Sequence, residues 1–169
     1  WLALLEKVKE GATLYVSCNE GFLSPFNGPA GIDIITRESR RSKAAFNALK
    51  DTAFRFETPA ASRFVIRPTT AKVLAEENDH NPIFTINQYG KGRICFLTVP
   101  LENNLASTPG AFDGHIPYWK IYETLKESAG IITAVNSGNP AVAFTAHELS
   151  AAEKVIVGVN YSAAAVEAP

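Results

Sequence analysis

The sequence predicts an open α/β sheet with a parallel portion and an antiparallel hairpin section, followed by the first strands of an all-β module. Three observations predict it. The chain opens with a helix–glycine–strand step, Trp1 to Ser17. After Asp51 the hydrophobic period shifts towards two, the mark of half-buried strands. Asn87 to Glu102 then reads as a two-glycine turn, a buried strand and an abrupt stop.

Taken in order, Trp1, Leu4, Leu5 and Val8 fall at i, i+3, i+4 and i+7, one stripe of an amphipathic helix. Gly11 is placed to cap it. Thr13 to Ser17 is a short apolar strand, and such an αβ step suits a parallel sheet with helical crossovers. Cys18-Asn-Glu-Gly21 leaves the carboxyl end of that strand. Gly21 to Gly31 is rich in Gly, Pro and Asn and reads as a loop, pinned by Phe22 and Phe26. Arg37, Arg40, Arg41 and Lys43 form a basic cluster, read as a solvated face, with a phosphate or acidic-partner site as the alternative. Ser42 is placed to cap a short helix from Lys43 to Leu49.

Phe54 and Phe56 alternate, and Phe64 to Ile66 and Val73 to Ala75 read as further strands. Glu76 to Pro82 is a polar turn. Ile83 to Gln88 and Ile94 to Val99 pair across Tyr89-Gly-Lys-Gly92, whose two glycines accept positive φ cheaply. The section is therefore expected to be an antiparallel meander. Pro100 lacks an N–H and ends the ladder. Glu102 to Gly114 is expected to be a loop. Its first residues, Glu102, Asn103 and Asn104, follow a strand's carboxyl end, where α/β sheets usually bind ligands. Tyr118, Ile121, Tyr122 and Leu125 repeat the helical stripe, closed by Gly130. Asn136 to Pro140 reads as a linker. Val142 to His147 and Val155 to Asn160 are two strands of the second module.

The totals bound the function. One hundred and sixty-nine residues, 46% of them hydrophobic, suit one domain or one domain and part of another. A net charge of −1 argues against a nucleic-acid surface held by bulk charge. No apolar run approaches the ~20 residues of a membrane span. The two cysteines make neither a disulfide framework nor a zinc site, so no metal and no cofactor is expected. The chain lacks Met and opens within a helix, which reads as a piece of a longer protein. A missing leader there says nothing of compartment, and cytoplasmic, periplasmic and secreted settings all fit.

Several phrases occur in an order that fits one family: Gly11 to Ser17, Ala71 to Ala75, Asn87 to Arg93 with Pro100 to Glu102, then His147 and Val159 to Ser162. The run resembles the class I glutamine-amidotransferase-like (flavodoxin-like) domain of large bacterial glycoside hydrolases. The β-galactosidases with a trimerisation domain are the best-known example. The resemblance implies residues 1–135 as that domain, with its first strands before Trp1, and 136–169 as a linker and the start of a C-terminal β-sandwich-like module. It implies as partners the rest of a parent hydrolase chain, its barrel and β-domains, and a homo-oligomer. It implies that hydrolysis belongs to carboxylates on a barrel of ~250 residues, outside this sequence.

Set against the family's chemistry, Cys18 stands where an amidotransferase nucleophile would, on a turn after a strand. Val16 and Glu20 occupy the positions of the GxCxG glycines. Thr98 to Glu102 keeps the Pro and Glu of the family's His-Pro-Glu but not its His, so the thiol lacks a general base there. No catalytic residue is therefore expected; Cys18, with Glu102, is read as a vestigial elbow. Asn19, Glu20, Tyr89, Asn103, Asn104 and His115 are the candidates for ligand or interface contact. His80, among Glu76, Glu77 and Asp79, reads as a solvated turn rather than a weak cation site. Trp119 and Tyr118 read as packing residues rather than a sugar platform. Three functions are carried: a non-catalytic structural and oligomerisation domain of a carbohydrate-active enzyme, a Cys-dependent amidotransferase or related hydrolase, and a carbohydrate-binding module. A His ring within about 3–4 Å of Cys18 would favour the second. Two exposed aromatics sharing a flat face would favour the third.

Overall fold

A computed structural model describes residues 1–18, 26–111, 116–131, 142–162 and 165. It separates into two compact units, Trp1–Gly130 and Ile131–Pro169.

The first unit begins with helix α1 (Leu2–Glu10), which buries Val8 and ends at Gly11 with φ 131°. Strand β1 (Thr13–Ser17) follows. After it come the short helix α2 (Asn27–Ala30), β2 (Ile32–Ser39), β3 (Ala44–Ala48), β4 (Arg55–Thr58) and β5 (Ser62–Pro68). Next are β6 (Lys72–Glu76), β7 (Pro82–Tyr89), β8 (Gly92–Leu97) and the helices α3 (Leu101–Ser107) and α4 (Trp119–Ser128). Six strands form a mixed open sheet in the order β1-β8-β7-β6-β3-β4. The β1–β8 pair is parallel and its other neighbours are antiparallel. β2 and β5 form a separate antiparallel pair.

The hairpin β7–β8 pairs in the expected register region, with Tyr89 opposite Gly92. Both of its glycines lie against α1. Gly90 takes φ 62° in the turn and a Cβ there would meet the backbone of Lys9, whereas a Cβ on Gly92 would collide with the carbonyl oxygens of Val8 and Ala12. Gly92 is thus required by the close approach of α1, a packing reason rather than a turn reason.

β8 is buried on both faces, and its alternation divides the core in two. Cys95 and Leu97 face a cluster that includes Phe46, Phe84, Leu105 and Ile121. Ile94 and Phe96 face another that includes Val8, Phe26, Ile32 and Phe64. Helices α3 and α4 contribute to the first cluster, and α1, α2 and the β2–β5 pair to the second.

Five expectations are corrected. Lys43 to Leu49 holds a strand, not a helix. Ala44 and Phe46 point to one side at period two, and Phe46 stacks on Phe56 of β4 with centroids 4.7 Å apart. That cross-strand aromatic pairing outweighs a local cap at Ser42. Residues 27–30 of the expected loop form α2, and Leu101–Ser107 forms α3 because Leu101 and Leu105, one turn apart, are both buried. Ile32–Ser39, read only as the surroundings of a basic cluster, is a strand. The meander is broken, since β5 leaves the main sheet to pair with β2.

In the second unit β9 (Val142–Glu148) and β10 (Lys154–Asn160) form the two expected strands as an antiparallel hairpin. Lys154 and Glu148 close its turn end with an ion pair of 2.9 Å. Val155, Ile156, Val157 and Val159 are exposed on it.

Candidate functional site

β1 and β8 run side by side and end at the same level, Ser17 opposite Leu97. The Cys18 N–H continues the ladder by donating to Leu97 O at 2.8 Å. Thr98 N–H donates to Ile83 O at 2.9 Å on the other side. Pro100 then turns the chain into α3. The two exits leave a cleft of about 380 Å³ at the carboxyl ends of the parallel pair. Cys18, Thr98 and Pro100 lie on the sheet side, Asn103 and Asn104 on the α3 side, and the Pro59–Ser62 connection with Phe64 forms the facing wall. Asn104 ties helix to wall: its carboxamide nitrogen donates to Thr58 Oγ1 at 2.9 Å and to Pro59 O at 2.6 Å.

Cys18 is 4% exposed, and burial pushes its thiol up to about 11. The positive charge of Arg37 opposes this only in part. At pH 7 a thiol with that value is ionised in about one molecule in 10⁴. Neither cysteine is in a disulfide. Among the described residues lining the cleft, Cys18 is the one ionisable side chain. The described surface of the cleft therefore offers hydroxyl and amide hydrogen bonds to a neutral polar group.

Three of the sequence candidates, Cys18, Asn103 and Asn104, come together here. Glu102 turns elsewhere: its Oε1 accepts from Tyr15 Oη at 2.7 Å and from Tyr122 Oη at 3.0 Å. Tyr89 is half-buried under Lys9 of α1, whose Nζ stands 5.6 Å from the ring centroid, so it braces the hairpin against that helix. Asn19, Glu20 and His115 lie outside the described residues. His80 caps the polar turn, exposed, with Nδ1 2.7 Å from Glu76 Oε1. Among the described residues no three metal-ligating side chains converge. Tyr118 packs edge-on against Phe56 at 5.0 Å, as expected of a packing residue. Trp119 is 48% exposed.

The sequence reading missed the wall at Pro59–Ser62 and the charge of Arg37 near Cys18. A run of Pro and Ala between two apolar stretches was the available signal for the wall. Nothing local links Arg37 to Cys18, because β2 reaches it only through its pairing with β5, where Arg37 lies opposite Phe64. The basic cluster also divides. Arg40 is buried in an ion network, contrary to a wholly solvated face, while Arg41 and Lys43 are exposed.

No protein-family model matches the sequence. No curated protein matches it by sequence either. Solved structures share the fold. A β-galactosidase from Bacillus circulans sp. alkalophilus superposes with TM-score 0.62 at 16% identity, over 95% of this chain and 25% of that one. A catalytic mutant of the GH42 β-galactosidase Gan42B from G. stearothermophilus gives 0.61 at 17%, over 95% and 24%. An exo-β-1,4-mannosidase from Opitutaceae bacterium strain TAV5 gives 0.60 at 17%, over 72% and 22%. The chain thus spans about a quarter of the length of these enzymes. At such identity the likeness is one of fold.

Proposed function

We propose that this chain is a non-catalytic structural and oligomerisation domain of a carbohydrate-active glycoside hydrolase, with a β-galactosidase-like parent. The observation that carries the reading is the fold shared over 95% of the chain with a quarter of a β-galactosidase. A segment matching one quarter of an enzyme fits a supporting domain better than a free-standing catalyst. The thiol chemistry supports the same reading, since a group ionised only near pH 11 makes a poor nucleophile at neutral pH. The finer assignment is an amidotransferase-like sheet. It draws support from β1, an edge strand in a parallel pair, where further parallel strands can add. In this reading the partners are the barrel and β-domains of the parent and further copies of it. The exposed apolar strands of the β9–β10 hairpin then belong to a larger β-sandwich-like module, since two strands alone are marginal in water.

Light scattering on the full-length parent with and without residues 1–135 tests the role. A loss of oligomer mass with retained glycosidase turnover supports it. An unchanged mass removes the oligomerisation role.

One observation favours a second reading, a Cys-dependent amidotransferase: Cys18 stands at the carboxyl end of β1 beside the cleft. Incubation with a glutamine-analogue chloroketone, followed by peptide mass analysis, separates the two. Stoichiometric labelling of Cys18, with ammonia release that Cys18→Ala abolishes, would establish the second reading and remove the first.

A further inference from the structure

The turn from β2 to β3 carries Ser39, Arg40, Arg41, Ser42 and Lys43 around a crevice of about 350 Å³, with Arg63, Glu77 and Asp79 on its other side. Its charges do not cancel. Glu77 is buried and bonds the guanidinium of Arg40 through Oε1 and Arg63 Nε through Oε2, the latter at 2.7 Å. Asp79 bonds the Nη2 of Arg63. Both carboxylates are thus engaged, and among the described residues Arg41 and Lys43 have no ion-pair partner. Glu38 also reaches Arg63, at 4.0 Å, and four cations against three carboxylates still leave the crevice positive.

The site is also built rather than merely charged. The Arg40 side chain is 8% exposed, and its Nε is buried without a hydrogen-bond partner among the described residues. Its main-chain N–H donates to Ala61 O at 2.9 Å, which fixes the turn. The buried carboxylate fixes the Arg40 guanidinium and the turn behind the crevice before a ligand arrives, and the ordering left to binding is that of Arg41 and Lys43. Arg, Lys and Ser donors around one concavity match the oxygens of phosphate or sulfate. A cation is disfavoured, because the carboxylates that would hold it already bind arginines.

We propose that this crevice binds an oxyanion of the phosphate or sulfate type, either free or carried on a small molecule such as a sugar. Arg41 and Lys43 supply its direct cationic contacts, and Arg40 and Arg63 supply the field behind them. The proposal does not depend on the functional reading above.

The test is titration calorimetry on the 169-residue chain at constant ionic strength, with inorganic phosphate, galactose 6-phosphate and galactose as probes. The comparison is the Arg41→Ala/Lys43→Ala double variant, whose two sites are exposed and outside the buried network. Saturable phosphate binding, weakened about tenfold or more in the double variant with unchanged circular dichroism, supports the site. Tighter binding of galactose 6-phosphate than of phosphate, with the same loss, identifies a sugar-borne group; equal binding identifies the free ion. Absence of saturation with both phosphates, equal binding by the double variant, or galactose binding as tightly as its phosphate would each overturn the proposal.

Discussion

Tyr15 Oη donates to Glu102 Oε1 at 2.7 Å, across 87 positions of sequence. The bond ties β1 to the first turn of α3, and Tyr122 of α4 joins the same oxygen at 3.0 Å. The residue that follows the cleft's Pro100 by two is therefore a fastener between three elements, with its carboxylate turned to the tyrosines. Its Oε2 is buried without a hydrogen-bond partner among the described residues. Replacing Glu102 by Ala removes the carboxylate that accepts from both tyrosine hydroxyls. We expect a loss of about 1–3 kcal/mol in urea unfolding, with no change in Cys18 reactivity. A loss below the error of the measurement would show that water replaces the carboxylate.

Alkaline pH should unfold the first unit early. Burial first, and then the Glu102 carboxylate, raise Tyr122 to about 12 and hold Tyr15 well above the ordinary tyrosine value. Burial also raises Cys95 to about 11, as it does Cys18. All four groups are acids held protonated by the fold. Above their unfolded pKa values the unfolded chain binds fewer protons, so stability falls as pH rises. The stability they contribute is complete below about pH 9 and declines from there through pH 12. Melting temperature against pH checks it, and Tyr122→Phe should flatten the upper part of the decline.

Cys18 should alkylate slowly with iodoacetamide at pH 7.5, and its rate should rise with a midpoint near 11. Peptide mass analysis at a series of pH values gives the curve. A midpoint below 8 would mean that a base or cation acts on the thiol. Arg37→Ala should move the midpoint higher still, because it removes the opposing positive charge.

The ion network should weigh heavily on stability. Arg40→Met leaves the buried Glu77 with Arg63 and the Asn81 carboxamide, so it should cost less than the about 3–5 kcal/mol of a fully stranded buried charge. Removing Arg63 as well, in Arg40→Met/Arg63→Met, strands the carboxylate and should cost more than the single variants added together. Denaturant midpoints of the single and double variants decide this.

Gly92→Ala should destabilise by about 1–3 kcal/mol or more, because its Cβ meets two backbone carbonyl oxygens that cannot move independently of α1. Gly28→Ala is the control, with nothing among the described residues within 4 Å of the added Cβ.

The sequence by itself determined the elements whose pattern is complete within a few residues. The stripe of Trp1 to Val8, the run from Ile94 to Leu97 and the Tyr89–Gly92 turn each carry their own period or breaker. It also brought Cys18, Asn103 and Asn104 into view, because each follows the carboxyl end of a strand whose apolar run is legible locally. Tertiary structure decided the rest. Phe46 sits in a strand because Phe56 and Phe84 offer it a stacking surface, a partner that no local propensity contains. Glu102 left the cleft because two tyrosines, 87 and 20 positions away, could donate to it. Arg40 left the solvent because Glu77, 37 positions away, was buried within reach. In each case a long-range partner supplied what the local pattern lacked. A polar or aromatic side chain goes where its hydrogen bonds or its face are met, and such partners are fixed only when the sheet closes.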